Sequence, residues 1–181
     1  MSDKKVVKMV FAAVFAAIVC VVTMMIRVPS LGPNGYVNIG DSIVLLSAWV
    51  IGGPYGGLAA GIGSGLADLL AGYGAYVPGT TIIKFTMAIV AWAIYRLGTG
   101  KKEKSDSKKI ATYAVSAVVA ETIMVAGYFV YEFLILGYGA GAGAAVISNI
   151  FQGGANVIIS IVVVTALEKV HVTNIVKRLL V

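Results

Sequence analysis

Residues 98–109 read GTGKKEKSDSKK, a polar and basic passage in a chain that is otherwise largely apolar. A passage of this kind stays in water. The runs on either side, 80–97 and 110–136, are apolar and close to the roughly 20 residues a helix needs to cross a bilayer core. Working outward, the same reading assigns spans to 6–28, 41–53, 55–72 and 144–167. Turn-forming residues separate them: the stretch from Pro29 to Gly40, the break at Gly52-Gly53-Pro54, the pair Pro78-Gly79, and the glycine-alanine connector from Gly137 to Gly143. Run 41–53 is short for a span, and it fits only where the bilayer is thinned or protein surrounds it. The expected fold is an all-α membrane protein, a six-transmembrane-helix bundle built as a single domain over 1–181.

Composition points the same way. Of the 181 residues, 59% are hydrophobic and 12% charged, about half the charged share of a soluble domain. This excludes a water-soluble enzyme, a disordered chain and a secreted disulfide scaffold. Cys20 is the only cysteine, so neither an internal disulfide nor a cysteine metal cluster can form. The net charge of +6 comes from 14 lysines and arginines that gather at span ends and in the 98–109 loop. That clustering marks topology rather than phosphate binding, and no nucleic-acid partner is expected. With the N-terminus inside, six spans place residues 1–8, the 98–109 loop and the C-terminal tail on one side. Every basic residue except Arg27 and Lys84 then falls on that side, so both termini are expected in the cytoplasm.

The topology sets the depth of each polar residue within the spans. Asn38 and Asp41 fall at the outer start of span two, Asp68 near the outer end of span three, and Lys84 one turn into span four. Tyr128 and Glu132 lie in the outer part of span five, Asn149 and Gln152 in the outer half of span six. Glu121, Tyr128 and Glu132 share one helical stripe, as do Asn149, Gln152 and Asn156. Two readings stand: a pocket open to the outside, favoured because ionisable groups are costly in hydrocarbon, or polar glue between helices. Asp68 and Lys84, at similar depth on consecutive spans, are expected to form a structural ion pair, with direct ligand contact as the alternative. That pairing leaves Glu132 without a cationic partner, and so the better candidate for a ligand's donor groups.

Smaller motifs add detail. Gly72-Tyr73-Gly74-Ala75 and Gly137-Tyr138-Gly139-Ala140 repeat one tetrapeptide, read either as paired lids over a pocket or as coincidence in a chain with 22 glycines. Tyr36 is placed with the first reading. Gly57, Gly61 and Gly65 form GxxxG steps that favour close internal helix packing. Ala12, Ala16 and Ala13, Ala17 make a smooth patch on span one, able to pack internally or to accept a partner's helix. Gly98-Thr99-Gly100-Lys101 lacks the first glycine and the final hydroxyl of a phosphate loop, and His171 is the only histidine. No enzyme activity, cofactor or metal is expected.

The blocks Tyr36-Val37-Asn38-Ile39-Gly40-Asp41, Gly52-Gly53-Pro54-Tyr55-Gly56-Gly57, Gly65-Leu66-Ala67-Asp68-Leu69-Leu70-Ala71-Gly72-Tyr73 and Thr80-Thr81-Ile82-Ile83-Lys84 resemble the substrate-binding S components of energy-coupling factor (ECF) transporters. The similarity extends over residues 6–167. It implies a six-helix bundle in a prokaryotic plasma membrane that captures a vitamin or its precursor at the outer face. It also implies partners: a transmembrane coupling protein, the T component, and two ATPase subunits. The site residues implied are Tyr36, Asn38, Tyr73, Tyr76, Lys84, Tyr128, Glu132, Asn149 and Gln152, and the alanines at 12, 13, 16 and 17 match the coupling-protein contact. Tyrosines, a carboxylate and amides suit an aromatic heterocycle with amino or hydroxyl groups. A pyridoxine or hydroxymethylpyrimidine-like ligand is favoured, with riboflavin as the alternative. The competing function is a self-sufficient proton-coupled secondary transporter using Asp68, Glu121 or Glu132.

Overall fold

The chain keeps its polar side chains inside and leaves apolar ones outside. In the computed structural model, which describes residues 3–100 and 106–180, Ser47, Ser116, Asn156 and Ser160 are fully buried, while Val10, Val21, Ile82, Phe151 and Val162 are exposed. That distribution suits hydrocarbon, where buried polar groups satisfy one another and the outer surface meets lipid. The expected aqueous loop is only partly within view, because residues 101–105 lie outside the described residues.

The elements run α1 (Asp3–Met25), β1 (Arg27–Pro29), β2 (Tyr36–Asn38), α2 (Asp41–Val50), α3 (Gly53–Leu70), α4 (Val77–Thr99), α5 (Asp106–Val130), α6 (Ala142–Lys169) and α7 (Val172–Leu180). Among the described residues, four helical stretches are long and apolar enough to cross a membrane: Lys4–Met25, Gly74–Thr99, Asp106–Ile135 and Gly139–Lys169. The expected second span is different in kind. α2 has 10 residues, about 15 Å of helix at 1.5 Å per residue, half the thickness of a hydrocarbon core. Nine of its residues are buried, since α1, α3, α4 and α6 pack around it. It ends where Gly52 takes φ +70° and Gly53 φ +53°, with the Trp92 indole so near Gly52 that a β-carbon there would sit 2.6 Å from the ring.

α3 packs closely against α1 and α4 and leaves Leu58, Ile62 and Leu66 exposed on its other face. Its GxxxG stripe meets α4: a β-carbon at Gly57 would lie 2.8 Å from Phe85, and one at Gly61 would lie 2.6 Å from the Thr81 carbonyl oxygen. Gly63, on another face, meets Val19 and the Ala16 backbone of α1. The internal-packing reading of the glycine stripe therefore holds. Close backbone approach takes the place of side-chain interdigitation.

The segment after α6, expected to be a short basic tail, is the amphipathic helix α7. His171 turns the chain at φ +60°, and α7 folds back with Thr173 and Leu180 buried against the bundle.

Gly61→Val is expected to destabilise the bundle by roughly 1–3 kcal/mol, the usual cost of overpacking. Gly154→Ala, at a position where a β-carbon meets nothing within 4 Å, should leave stability unchanged or slightly raised. Thermal unfolding of both variants in detergent checks the pair.

Candidate functional site

The site lies at the end of the bundle capped by the β1–β2 hairpin. Arg27 pairs with Asn38, Val28 with Val37 and Pro29 with Tyr36, and this two-stranded ribbon lies across α6. Its hold on α6 is polar. Ser148 Oγ accepts from the Leu31 amide at 2.9 Å, Gln152 Oε1 accepts from the Asn38 amide at 2.8 Å, and Asn156 Nδ2 donates to the Asn38 carbonyl at 2.9 Å. The predicted Asn149–Gln152–Asn156 stripe is thus buried and faces inward, with Gln152 and Asn156 tying the hairpin down.

Beneath the hairpin sits the charge centre. Lys84 Nζ donates to Asp41 Oδ1 at 2.5 Å, and Gln152 Nε2 donates to Asp41 Oδ2 at 2.6 Å. The expected Asp68–Lys84 pair is replaced by Asp41–Lys84. The short α2 starts at Asp41, and its packing beside α4 delivers that carboxylate directly to Lys84. Asp68 instead accepts a hydrogen bond from the Tyr36 hydroxyl at 2.7 Å. Burial, and then the neighbouring Asp68, push the Tyr36 phenol far above its usual range, so it stays a protonated donor.

Beside Tyr36 and Asp68 lies a cavity of about 30 Å³, room for roughly one water. Tyrosines form much of its wall: Tyr36 and Tyr73 lie 4.9 Å apart between centroids, Tyr73 and Tyr76 6.2 Å, and Tyr76 and Tyr128 6.4 Å. Asp68 and Glu132 both reach the cavity, and Asn38, Asn149 and Gln152 bring amides. Glu132 Oε1 accepts from Tyr76 at 3.1 Å, while its Oε2 is buried with no hydrogen-bond partner among the described residues. Of the predicted site residues, all but Lys84 line this cavity. Lys84 lies outside the lining, its ammonium 5.2 Å from the centroid of Tyr128.

The sequence reading passed over Ser30, Gly35 and Thr80 and gave Asp68 another role; all four line the cavity. Thr80 had a visible signal, since it lies one helical turn before Lys84, and its Oγ1 is 2.9 Å from the Tyr128 hydroxyl. The stripe of Glu121, Tyr128 and Glu132 divides. Tyr128 and Glu132 line the cavity, whereas Glu121 lies farther along α5 against Gly153, beside an apolar groove. A π-helical turn at Tyr131–Ile135 contains Glu132 and departs from the 3.6-residue spacing on which the stripe was read.

The repeated tetrapeptides adopt matching shapes. Gly72 and Gly137 take φ +85° and +69° and end a helical segment; the following tyrosine amide then bonds back to the carbonyl of an acidic residue. These bonds are Tyr73 to Asp68 at 2.8 Å and Tyr138 to Glu132 at 3.0 Å. A short 3₁₀ turn opens the next helix in both cases, at Gly74–Tyr76 and Gly139–Gly141. Each elbow thus sets a carboxyl side chain at the cavity, although only the first also supplies its own tyrosine.

Lys84→Met should cost about 3–5 kcal/mol, because it leaves the buried Asp41 carboxylate without its cation. Asp68→Asn keeps a Tyr36 partner and should cost far less. Equal losses in thermal unfolding would contradict the Asp41 pairing.

The family model described as ECF-type riboflavin transporter, S component, matches residues 3–172 of this chain. A Pyrococcus woesei protein, described as an uncharacterized protein in the gap 3′ region, is 33% identical over 141 residues, covering 78% of this chain and 88% of its own length.

Proposed function

The chain belongs to the family of ECF-type riboflavin transporter S components, and from that premise we propose that it is the vitamin-capturing subunit of a multi-component importer. In this reading the bundle crosses the membrane six times, with α2 surrounded by protein, α3 turning an apolar face at Leu58, Ile62 and Leu66 to lipid, and both termini in the cytoplasm. The hairpin and its cavity then face outward. ATP hydrolysis belongs to two ATPase subunits joined through a T component.

The observation that carries the reading is the cavity itself, a tyrosine-walled space where a buried carboxyl oxygen of Glu132 has no hydrogen-bond partner among the described residues. A buried acceptor without a donor is costly, and a ligand's N–H or O–H would relieve it. Tyrosine faces suit a flat ring, and the amides of Asn149 and Gln152 suit its polar edge. The favoured ligand is a pyridoxine or hydroxymethylpyrimidine-like ring. Riboflavin is the second reading, favoured by the description of the matching family. Ligand pockets usually hold roughly 300 Å³ or more, so capture requires the hairpin and the two elbows to move outward.

The alanine patch divides in a useful way. Ala16 packs its backbone against Gly63 of α3, and both it and Ala12 are half-buried, whereas Ala13 and Ala17 are exposed. In this proposal the coupling protein docks on the Ala13–Ala17 face, with Ala12 and Ala16 at its edge.

Calorimetry with pyridoxine, hydroxymethylpyrimidine and riboflavin tests capture directly. At least one should bind, and Glu132→Ala should weaken that binding by about 1.5–3 kcal/mol, the range for hydrogen bonds to charged groups. Heat changes absent for all three would refute the ligand assignment. Ala13→Leu with Ala17→Leu should spare vitamin binding yet abolish co-purification with the T component; intact assembly would remove this face from the interface.

A further inference from the structure

We propose that this cavity admits only unphosphorylated ligands, with Asp68 and Glu132 as the residues that determine the selection. The inference rests on the vitamin-capture reading but not on which vitamin is captured. It starts from a census of charge. Among the described residues, two acidic side chains, Asp68 and Glu132, line the cavity, and no basic side chain is in its lining. The remaining polar lining consists of tyrosine and threonine or serine hydroxyls together with amides.

Two basic side chains, Lys84 and Arg27, lie against aromatic rings of this wall, and neither is in the lining. Lys84 is nearly fully buried, and its ammonium bonds Asp41, whose second oxygen is held by Gln152. That ammonium lies 5.2 Å from the Tyr128 centroid, and the Tyr128 hydroxyl is engaged with Thr80. Moving Lys84 onto a ligand would strand Asp41 in the interior. Arg27 is exposed, with its guanidinium 5.8 Å from the Tyr36 centroid, and it does not line the cavity.

A phosphate monoester brings close to two negative charges at neutral pH. Within this enclosure it would be desolvated with no counter-ion, beside two carboxyl groups. Whether those carboxyls are ionised or neutral, the lining supplies no positive charge, and burying an unpaired anion is among the costliest events in a binding site. If they are ionised, like-charge repulsion adds to the cost. The same carboxyls favour a ligand that donates hydrogen bonds through free hydroxyl or amino groups. Phosphorylation of a ring hydroxymethyl or ribityl group replaces a donor with an anion, and so inverts the match.

The test compares each parent with its ester on the purified chain in detergent: pyridoxine against pyridoxine 5′-phosphate, hydroxymethylpyrimidine against its phosphate, and riboflavin against riboflavin 5′-phosphate. For whichever parent binds, the ester should be weaker by about 100-fold, as several kcal/mol of like-charge and desolvation cost implies. In Asp68→Asn and Glu132→Gln the ratio of ester to parent Kd should fall at least about tenfold, although parent binding itself weakens. The ratio is the readout because a merely structural role would weaken both compounds together. Arg27→Gln should leave the ratio unchanged. An ester that binds within tenfold of its parent overturns the selection rule and leaves the capture reading standing. A ratio unmoved in both acidic variants overturns the assignment of the rule to Asp68 and Glu132. Failure of all three parents and their esters to bind overturns the capture reading, and the selection rule with it.

Discussion

The ion pair between Asp41 and Lys84 is the constraint on which the rest of the site depends. Two opposite charges are withdrawn from water at a cost of several kcal/mol each, and only a close, fully bonded geometry returns it. Here the geometry is complete: Lys84 takes one carboxylate oxygen of Asp41, Gln152 takes the other, and the Gln152 carbonyl accepts from the hairpin at Asn38. One short chain of bonds thereby joins α4, the start of α2, α6 and β2. The ten-residue α2 is too short to be positioned by lipid, and this polar anchor fixes its N-terminus while the surrounding helices bury its sides.

The cavity inherits its shape from that anchor. With the hairpin tied to α6, Tyr36 swings over Asp68 and meets Tyr73, and the carbonyl at Asn34 receives the Tyr76 hydroxyl. The two glycine-tyrosine elbows work by the same physics on the other side. A left-handed glycine ends a helical segment with a backbone bond to an acidic residue, leaving that residue's side chain free to turn toward the cavity. Helical backbone carries Asp68, Glu132 and Tyr128, while the hairpin carries Tyr36 and the first elbow carries Tyr73 and Tyr76. Such a division suits a site that must open for a ligand much larger than its present volume.

The parts of this arrangement legible in the sequence were those governed by a fixed period or by composition. The apolar runs located α1, α4, α5 and α6, and the 3.6-residue spacing of Asn149, Gln152 and Asn156 announced an inward polar stripe. The glycine steps on α3 foretold close internal packing, and the structure supplies α4 as the partner. What stayed hidden depends on three-dimensional packing. Asp68 and Asp41 lie at similar depth, and nothing in the sequence tells which of them the fold of α2 carries to Lys84. The π turn that contains Glu132 departs from the helical spacing without a proline or glycine to flag it. The folding back of α7 depends on a left-handed turn at His171, and positive φ is uncommon for any residue but glycine.

The most direct measurement is denaturing extraction of the detergent-purified chain, expressed in cells supplied with B vitamins, followed by small-molecule mass spectrometry. Capture at the tyrosine-walled cavity predicts a neutral pyridine, pyrimidine or flavin compound in near-stoichiometric amount, lost when Glu132 and Asn149 are both replaced by alanine. A chain that emerges with no such compound, and takes none up from a vitamin mixture after purification, would contradict a vitamin-binding subunit.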